Sequence, residues 1–296
     1  MLLVLARALF VGCALSGFGA ALFALMTPVA RRLDTGQGVA IERHVREVMQ
    51  WSLAAALVFG CVWLVLQTQS VAGTADLAQT LMAVPAVLFS TRFGQALALQ
   101  AVTIAGALAS AAAWRWPSRL AVALAGTAVL LEAGHSHAFA MAHVPLLVSQ
   151  MLHLTAAGAW LGGLLPLLIV VRKAPLDLAQ QAARRFSTLG TISVAVLTAT
   201  ALFQGTLLSG GLAGLTGTRY GAVLMIKAVL FAVLVLIASI NRFRLTPAMA
   251  GPDGETARGA LTRSIILETF VGLCVVIAAS WLSSLEPGMH MEAHGK

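Results

Sequence analysis

Long apolar runs alternate with short polar connections along the whole chain. Each run holds about 20 residues with few charges, which is the length that an α-helix needs to cross roughly 30 Å of hydrocarbon. The pattern therefore predicts eight transmembrane helices, at residues 3–27, 48–68, 93–113, 118–138, 147–171, 186–208, 220–241 and 264–284.

Two apolar stretches have alternative interpretations. The run from Ala8 to Met26 is longer than the core of a typical secretory signal and ends without a clear cleavage motif, so it is interpreted as the first span. The stretch from Asp76 to Ser90 is short and is interrupted by Pro85, so it predicts an interfacial helix and not a ninth span.

The composition excludes a water-soluble fold. Of 296 residues, 59% are apolar and 10% are charged, with a mean hydropathy of +0.90, whereas soluble domains carry about a quarter charged residues. The net charge of +8 does not indicate a nucleic-acid partner, because the basic residues lie in clusters between apolar runs. The predicted fold class is an all-α polytopic membrane helical bundle, a single transmembrane domain whose partner is the lipid bilayer.

Basic residues are distributed unequally between alternate connections. The connections after spans two, four and six contain only two basic residues, Arg92 and Arg219. Since basic loops stay on the cytoplasmic side, both termini are predicted to lie on the outer face. Fourteen of the 19 basic residues lie after spans one, three, five and seven: Arg31, Arg32, Arg43, Arg46, Arg115, Arg119, Arg172, Lys173, Arg184, Arg185, Arg242, Arg244, Arg258 and Arg263.

A short motif occurs at the start of two spans. Residues 91–94 read Thr-Arg-Phe-Gly, and residues 218–221 read Thr-Arg-Tyr-Gly. Each is followed by a leucine at the same offset and then by a polar residue, Gln100 or Lys227. The echo suggests two parallel repeats of four helices each.

Polar residues interrupt the fourth span at membrane depth. Glu132, His135 and His137 follow its apolar run, and Glu132 and His135 share a helix face because they are three residues apart. His153 lies about two turns into the next helix. Ionisable groups inside the membrane usually face the bundle interior, so these residues predict either a metal or haem site or a hydrogen-bonded polar cluster that ties two helices together.

Methionines accompany several of the outer histidines. Met141 precedes His143 by two residues, and Met151 precedes His153 by two. Thioether and imidazole ligands together favour copper, especially Cu(I), over magnesium or calcium. The predicted outward tail, residues 285–296, adds four candidate ligands: Met289, His290, Met291 and His294.

Other chemistry has little support in the sequence. Cys13, Cys61 and Cys274 lie singly within apolar runs, where a cysteine usually behaves as a small apolar residue. The chain has no Walker A motif and no convincing Ser/His/Asp arrangement. The sequence therefore does not indicate an enzyme or an ATP-driven pump.

The segment from Met151 to Pro166, Met-Leu-His-Leu-Thr-Ala-Ala-Gly-Ala-Trp-Leu-Gly-Gly-Leu-Leu-Pro, resembles the signature span of the CopD family of bacterial copper-resistance membrane proteins. Residues 134–138, Gly-His-Ser-His-Ala, resemble that family's Gly-His element, with either His135 or His137 as the equivalent histidine. Residues 184–187, 218–221 with Lys227, and 241–243 resemble its later segments, so the likeness covers most of residues 91–243.

The resemblance implies an eight-span protein of the bacterial inner membrane that handles periplasmic copper. The distribution of basic residues then predicts that both termini lie in the periplasm. The resemblance also implies copper movement toward the cytoplasm and a separate periplasmic copper-binding partner of the CopC type. The resemblance to the family does not include the Met/His tail.

The leading hypothesis is a copper site in the outer half of the bundle. His135 or His137 would bind copper together with His153, supported by Glu132 and by Trp160, which lies one heptad from His153. Two rival hypotheses remain open. One is a b-type haem held by His135 and His153, and the other is a copper chaperone that does not transport.

Overall fold

A computed structural model describes residues 1–28, 36–113, 117–136 and 143–286. Within these residues the regular structure is helical and contains no strand. The helices are α1 (Leu2–Met26), α2 (Gly36–Ala72), α3 (Leu77–Ser90), α4 (Arg92–Ala113), α5 (Arg119–Leu131), α6 (Val144–Leu161), α7 (Leu164–Lys173), α8 (Leu176–Leu208), α9 (Gly211–Gly217), α10 (Arg219–Ile240), α11 (Thr246–Ala248) and α12 (Gly254–Leu282).

Seven helical segments of the described chain are long and apolar enough to cross a membrane, with α6 and α7 counted as one. They correspond to seven of the eight predicted spans, three of which end one or two residues beyond these segments. The eighth, residues 118–138, corresponds to the 13 residues of α5 followed by a four-residue 3-10 segment, Glu132–His135. The predicted class, an all-α polytopic membrane bundle, is confirmed.

The stretch between the second and third spans forms a short helix, as predicted. Asp76 caps α3 by accepting hydrogen bonds from the backbone N–H groups of Ala78 and Gln79. With 14 residues, α3 is about 21 Å long, which is shorter than the hydrocarbon core.

Helix α1 is central, since it packs against α2, α5, α6, α7 and α12. Small residues on α1 allow close approach to the α6–α7 junction. A Cβ at Gly19 would overlap the backbone of Gly162, and a Cβ at Gly162 would overlap the carbonyl oxygen of Leu15. Close packing of this kind is typical of membrane helices, whose association has no hydrophobic driving force.

The fifth predicted span bends where α6 gives way to α7. Gly162 and Gly163 form the junction, and Pro166 lacks the N–H that would extend the α-helical ladder across it. A second irregularity follows α10, where Asn241–Leu245 forms a π-helical segment before α11.

The repeated Thr-Arg-aromatic-Gly motif has one local structure at both places. The hydroxyl groups of Thr91 and Thr218 accept from the N–H groups of Gly94 and Gly221, at 3.0 and 2.9 Å. A Cβ at either glycine would overlap the backbone of the short helix that precedes it, α3 or α9. The structure thus explains why glycine follows the capping threonine in each copy.

Candidate functional site

A cavity with several polar side chains in its wall lies between the start of α1, the 3-10 segment, α6, the end of α8, the start of α10 and the end of α12. Its volume is about 150 Å³. Four ionisable side chains line it: Arg7, Glu132, His153 and Lys227. We call it the His153 cavity, and it lies toward the end of the bundle where α1 begins and α12 ends.

Helix α6 presents the His153 side chain to this cavity with a defined tautomer. The imidazole Nδ1 lies 2.9 Å from the Thr200 hydroxyl on α8. That hydroxyl donates its proton to the Val196 carbonyl at 2.7 Å, so it accepts from His153 Nδ1–H. The lone pair of Nε2 therefore remains available to a ligand, as in metal-binding histidines whose other nitrogen is held by a hydrogen bond.

Glu132 is held mainly by Arg7 from α1. Arg7 Nη2 and Glu132 Oε1 are 3.1 Å apart, and both side chains are largely buried. Arg7 also donates to the hydroxyl of Ser283. On the other side, the Gln100 amide nitrogen donates to Glu132 Oε2 at 3.3 Å and to the Ala128 carbonyl at 3.1 Å. The carboxylate thus links α1 with α4, and Arg7 extends the network to Ser283 at the end of α12.

His135 does not line the His153 cavity. Its ring packs between Trp63 and Phe93, with centroid distances of 5.0 and 5.2 Å. Its Nε2 lies 2.8 Å from Gln100 Oε1, which can only accept, so Nε2 carries the proton. Nδ1 is buried and has no hydrogen-bond partner in the described structure. His135 is connected with Glu132 through Gln100, which forms hydrogen bonds with both side chains.

Lys227 is the second cation of the cavity. It forms no hydrogen bond or ion pair within the described residues, in contrast to Arg7. Arg7 and Glu132 compensate each other's charge, so the cavity carries one excess positive charge only while Lys227 is protonated.

The remaining predicted ligands lie elsewhere. His143 is exposed and caps α6, where its Nδ1 accepts from Leu146 N–H at 3.2 Å. Met151 packs against the apolar core and does not line the cavity. Among the described residues, no three His, Cys, Asp or Glu side chains form a group that could hold a metal ion. Six predicted ligands lie outside the described residues: His137, Met141, Met289, His290, Met291 and His294.

Trp160 was expected near His153 but lines a second cavity, of about 170 Å³, between α6, α8, α10 and α12. Its Nε1–H donates to Glu268 Oε1 at 2.9 Å, and Asn241 Nδ2 donates to Glu268 Oε2 at 2.8 Å. We call this space the Glu268 cavity. It lies nearer the opposite end of the bundle, and Arg242 is among its lining residues.

Arg7 and Glu268 were not predicted as site residues from the sequence, and Gln100 and Lys227 were recognised only as parts of the repeated motif. The signal for Arg7, Lys227 and Glu268 was the same as for Glu132, an ionisable residue within an apolar run. Applied to every span, it would have found all three.

Comparison with known sequences identifies related proteins. The family described as Copper resistance protein D-like, N-terminal domain, matches residues 1–144, and the family described as Copper resistance protein D matches residues 180–282. Copper resistance protein D of Pseudomonas syringae pv. tomato is 27% identical over 290 residues, which cover 92% of each chain. No solved structure matches the chain.

Two further relatives align over shorter stretches. Inner membrane protein YebZ of Escherichia coli (strain K12) is 34% identical over 175 residues, 57% of this chain and 60% of that protein. Copper transport protein CutJ of Bacillus subtilis (strain 168) is 29% identical over 143 residues, 47% of this chain and 25% of that protein. The aligned part is therefore less than two thirds of YebZ and a quarter of CutJ.

Proposed function

Because the chain belongs to the copper resistance protein D family, we propose that it takes copper from the periplasmic side of the inner membrane and moves it through the bundle toward the cytoplasm. Both termini would lie in the periplasm, in accord with the distribution of basic residues along the sequence. The His153 cavity would then open to the side from which copper enters.

The observation that carries this proposal is the state of His153. Its Nδ1 is held by Thr200, and its Nε2 has no hydrogen-bond partner among the described residues and lies beside a cavity lined by other polar side chains. A neutral imidazole nitrogen is a good ligand for copper. Gln150, Gln204 and Ser136 also line the cavity, so the ion would enter polar surroundings.

The charge of the cavity favours Cu(I) over Cu(II) as the ion that enters. When Lys227 is protonated, it adds one positive charge to the neutralised Arg7–Glu132 pair, and a monovalent ion is then repelled less than a divalent one. Cu(I) also prefers the thioether ligands that Met141 and the tail would offer on the way to the cavity. The tail would capture the ion, and a separate CopC-like periplasmic protein would deliver it.

Copper retention tests the site. Purified protein would be loaded anaerobically with Cu(I), desalted and analysed for copper per chain. We expect His153→Ala to lose one copper ion relative to wild type. His143→Ala is the matched control, since that histidine is exposed and only caps a helix. Equal retention by His153→Ala and wild type would refute the assignment of His153.

Transport separates this proposal from a non-transporting chaperone. Sealed vesicles that contain the protein should accumulate Cu(I), and vesicles with His153→Ala should accumulate much less. Copper binding without accumulation would favour the chaperone hypothesis.

The haem hypothesis needs His135 and His153 on one cofactor, and the two imidazoles do not line one cavity. No contact within the described residues favours it. A strong Soret band in the purified protein would revive it.

A further inference from the structure

The Glu268 cavity contains a carboxylate that forms no ion pair with any cation of the described residues. Glu268 is 3% exposed and lies within the apolar helix α12. Both of its hydrogen-bond donors, Trp160 and Asn241, are neutral, and no ion pair of the described residues includes it. A buried, ionised carboxylate without a cation is costly, so the group is stabilised by acquiring a positive charge.

A second buried group in the same cavity lacks a partner. Asn241 is 8% exposed, and its Oδ1 accepts no hydrogen bond in the described structure. Asn241 begins the π-helical segment after α10, a kind of distortion that is frequent at functional sites. The cavity therefore offers an unsatisfied acceptor beside the carboxylate.

Arg242 is the other charged group that lines the cavity, and its guanidinium is engaged elsewhere. Its Nη1 donates to the Ser187 carbonyl and to the Thr191 hydroxyl on α8, both at 2.9 Å, and its Cζ lies 5.6 Å from the Phe243 ring. The other helices around the cavity contribute side chains without charge: Trp160 from α6, Leu167 from α7, Ser187 and Thr191 from α8, and Ser239 from α10.

We propose that Glu268 binds an exchangeable proton, so that the cavity is a proton site separate from the His153 cavity. When Glu268 is ionised, Asn241 Nδ2 donates to Oε2, as observed. When Glu268 is protonated, its O–H donates to Asn241 Oδ1 after a half-turn of the amide, which satisfies the acceptor that is otherwise unpaired. The proton comes from and returns to water, and no covalent bond other than O–H changes.

The proton state would be transmitted to the end of α10, because Asn241 is the first residue of the π-helical segment. Helix α6 connects the two cavities, since His153 and Trp160 are seven residues, or about 10 Å, apart along it. Proton uptake at Glu268 would therefore accompany copper movement, a role that rests on the proposed function.

Infrared difference spectroscopy tests the proton site without copper. Copper-free protein in phosphatidylcholine vesicles would be scanned from alkaline to acidic pH, and the carbonyl stretch of a protonated carboxyl group in apolar surroundings would be followed. We expect wild type to show one such band and Glu268→Gln to lose it. Glu286→Gln is the control and should keep the band, because Glu286 is exposed.

A second variant keeps the test valid if Glu268→Gln does not fold. Asn241→Leu retains the carboxyl group but removes its partner, so the band should persist at a shifted frequency. A Glu268→Gln spectrum identical to wild type, or an Asn241→Leu band that does not shift, would overturn the proposal. A band that responds to sodium at fixed pH, and not to pH, would also overturn it.

The role in transport is measured separately. Copper uptake into vesicles by wild type should change with an imposed pH gradient, whereas uptake by folded Glu268→Gln should not. Because the infrared measurement needs no copper, failure of the copper proposal would leave the proton site standing.

Discussion

The His153 cavity and the Glu268 cavity both border α6, but their carboxylates have different partners. Glu132 forms an ion pair with Arg7 at 3.1 Å. Glu268 accepts from two neutral groups, at 2.9 and 2.8 Å. The first cavity is also lined by the imidazole of His153, whereas no histidine of the described residues lines the second.

The different partners of Glu132 and Glu268 indicate two different roles for an acidic residue inside a membrane. A carboxylate with a fixed cationic partner is already neutralised, so it ties helices together and is poorly suited to exchange an ion. A carboxylate with only neutral partners can gain a proton and lose it again. Glu132 is therefore expected to support the bundle and Glu268 to take part in exchange.

The largest effect is expected from breaking the ion pair of the His153 cavity. Glu132→Ala leaves Arg7 buried without its partner, which should lower the free energy of unfolding by about 3–5 kcal/mol. Thermal denaturation in detergent would measure the loss.

Glu47→Gln is the control for that variant. Glu47 pairs with Arg43 one helical turn away, and both side chains are largely exposed, so the loss should be about 0–1 kcal/mol. If Glu132→Ala were as stable as Glu47→Gln, the contrast between a structural Glu132 and an exchanging Glu268 would be wrong.

A smaller effect is expected from removing the group that orients His153. Thr200→Val takes away the acceptor of Nδ1–H while it preserves the size of the side chain. Loss of such a supporting hydrogen bond typically costs about 10–100-fold in metal affinity. Competition with a Cu(I) chelator would measure this change, and Thr200→Ser, which keeps the hydroxyl, should bind like wild type. Equal affinity of the valine variant would show that Thr200 does not position the ligand.

The smallest effect is expected from replacing Lys227, which forms no ion pair within the described residues. Lys227→Leu removes a positive charge that repels copper, so the affinity for Cu(I) should rise by up to about tenfold, or about 1.4 kcal/mol. Lys227→Arg keeps the charge and should give no gain in the same competition assay. Weaker binding by Lys227→Leu would instead indicate that the lysine contributes to the site.

Much of the fold could be predicted from hydropathy, because the bilayer imposes a minimum length on each apolar helix. The short helix α3 was also predicted, because a short apolar run can be recognised from neighbouring residues alone. Span four was less well predicted. Its α-helix ends at Leu131 and is followed by one 3-10 turn. At the end of that turn, the ring of His135 packs against Trp63 and Phe93.

The candidate site was predicted in part. His153 and Glu132 do line one cavity, as their positions on consecutive spans suggested. Trp160 was placed correctly on the helix of His153 but lines the other cavity, because its partner Glu268 lies 108 residues away. The heptad spacing carries no information about which distant helix packs against that turn.

By itself, the sequence determined that this protein is a membrane-embedded helical bundle and that its informative residues are ionisable groups within apolar runs. Both conclusions depend on local composition, because the bilayer requires long apolar helices and makes an ionisable group within them costly. Only the tertiary structure decided which carboxylate has a cation and which has not. Arg7 and Glu132 are 125 residues apart, and Asn241 and Glu268 are 27 apart, so their pairing depends on how whole helices pack.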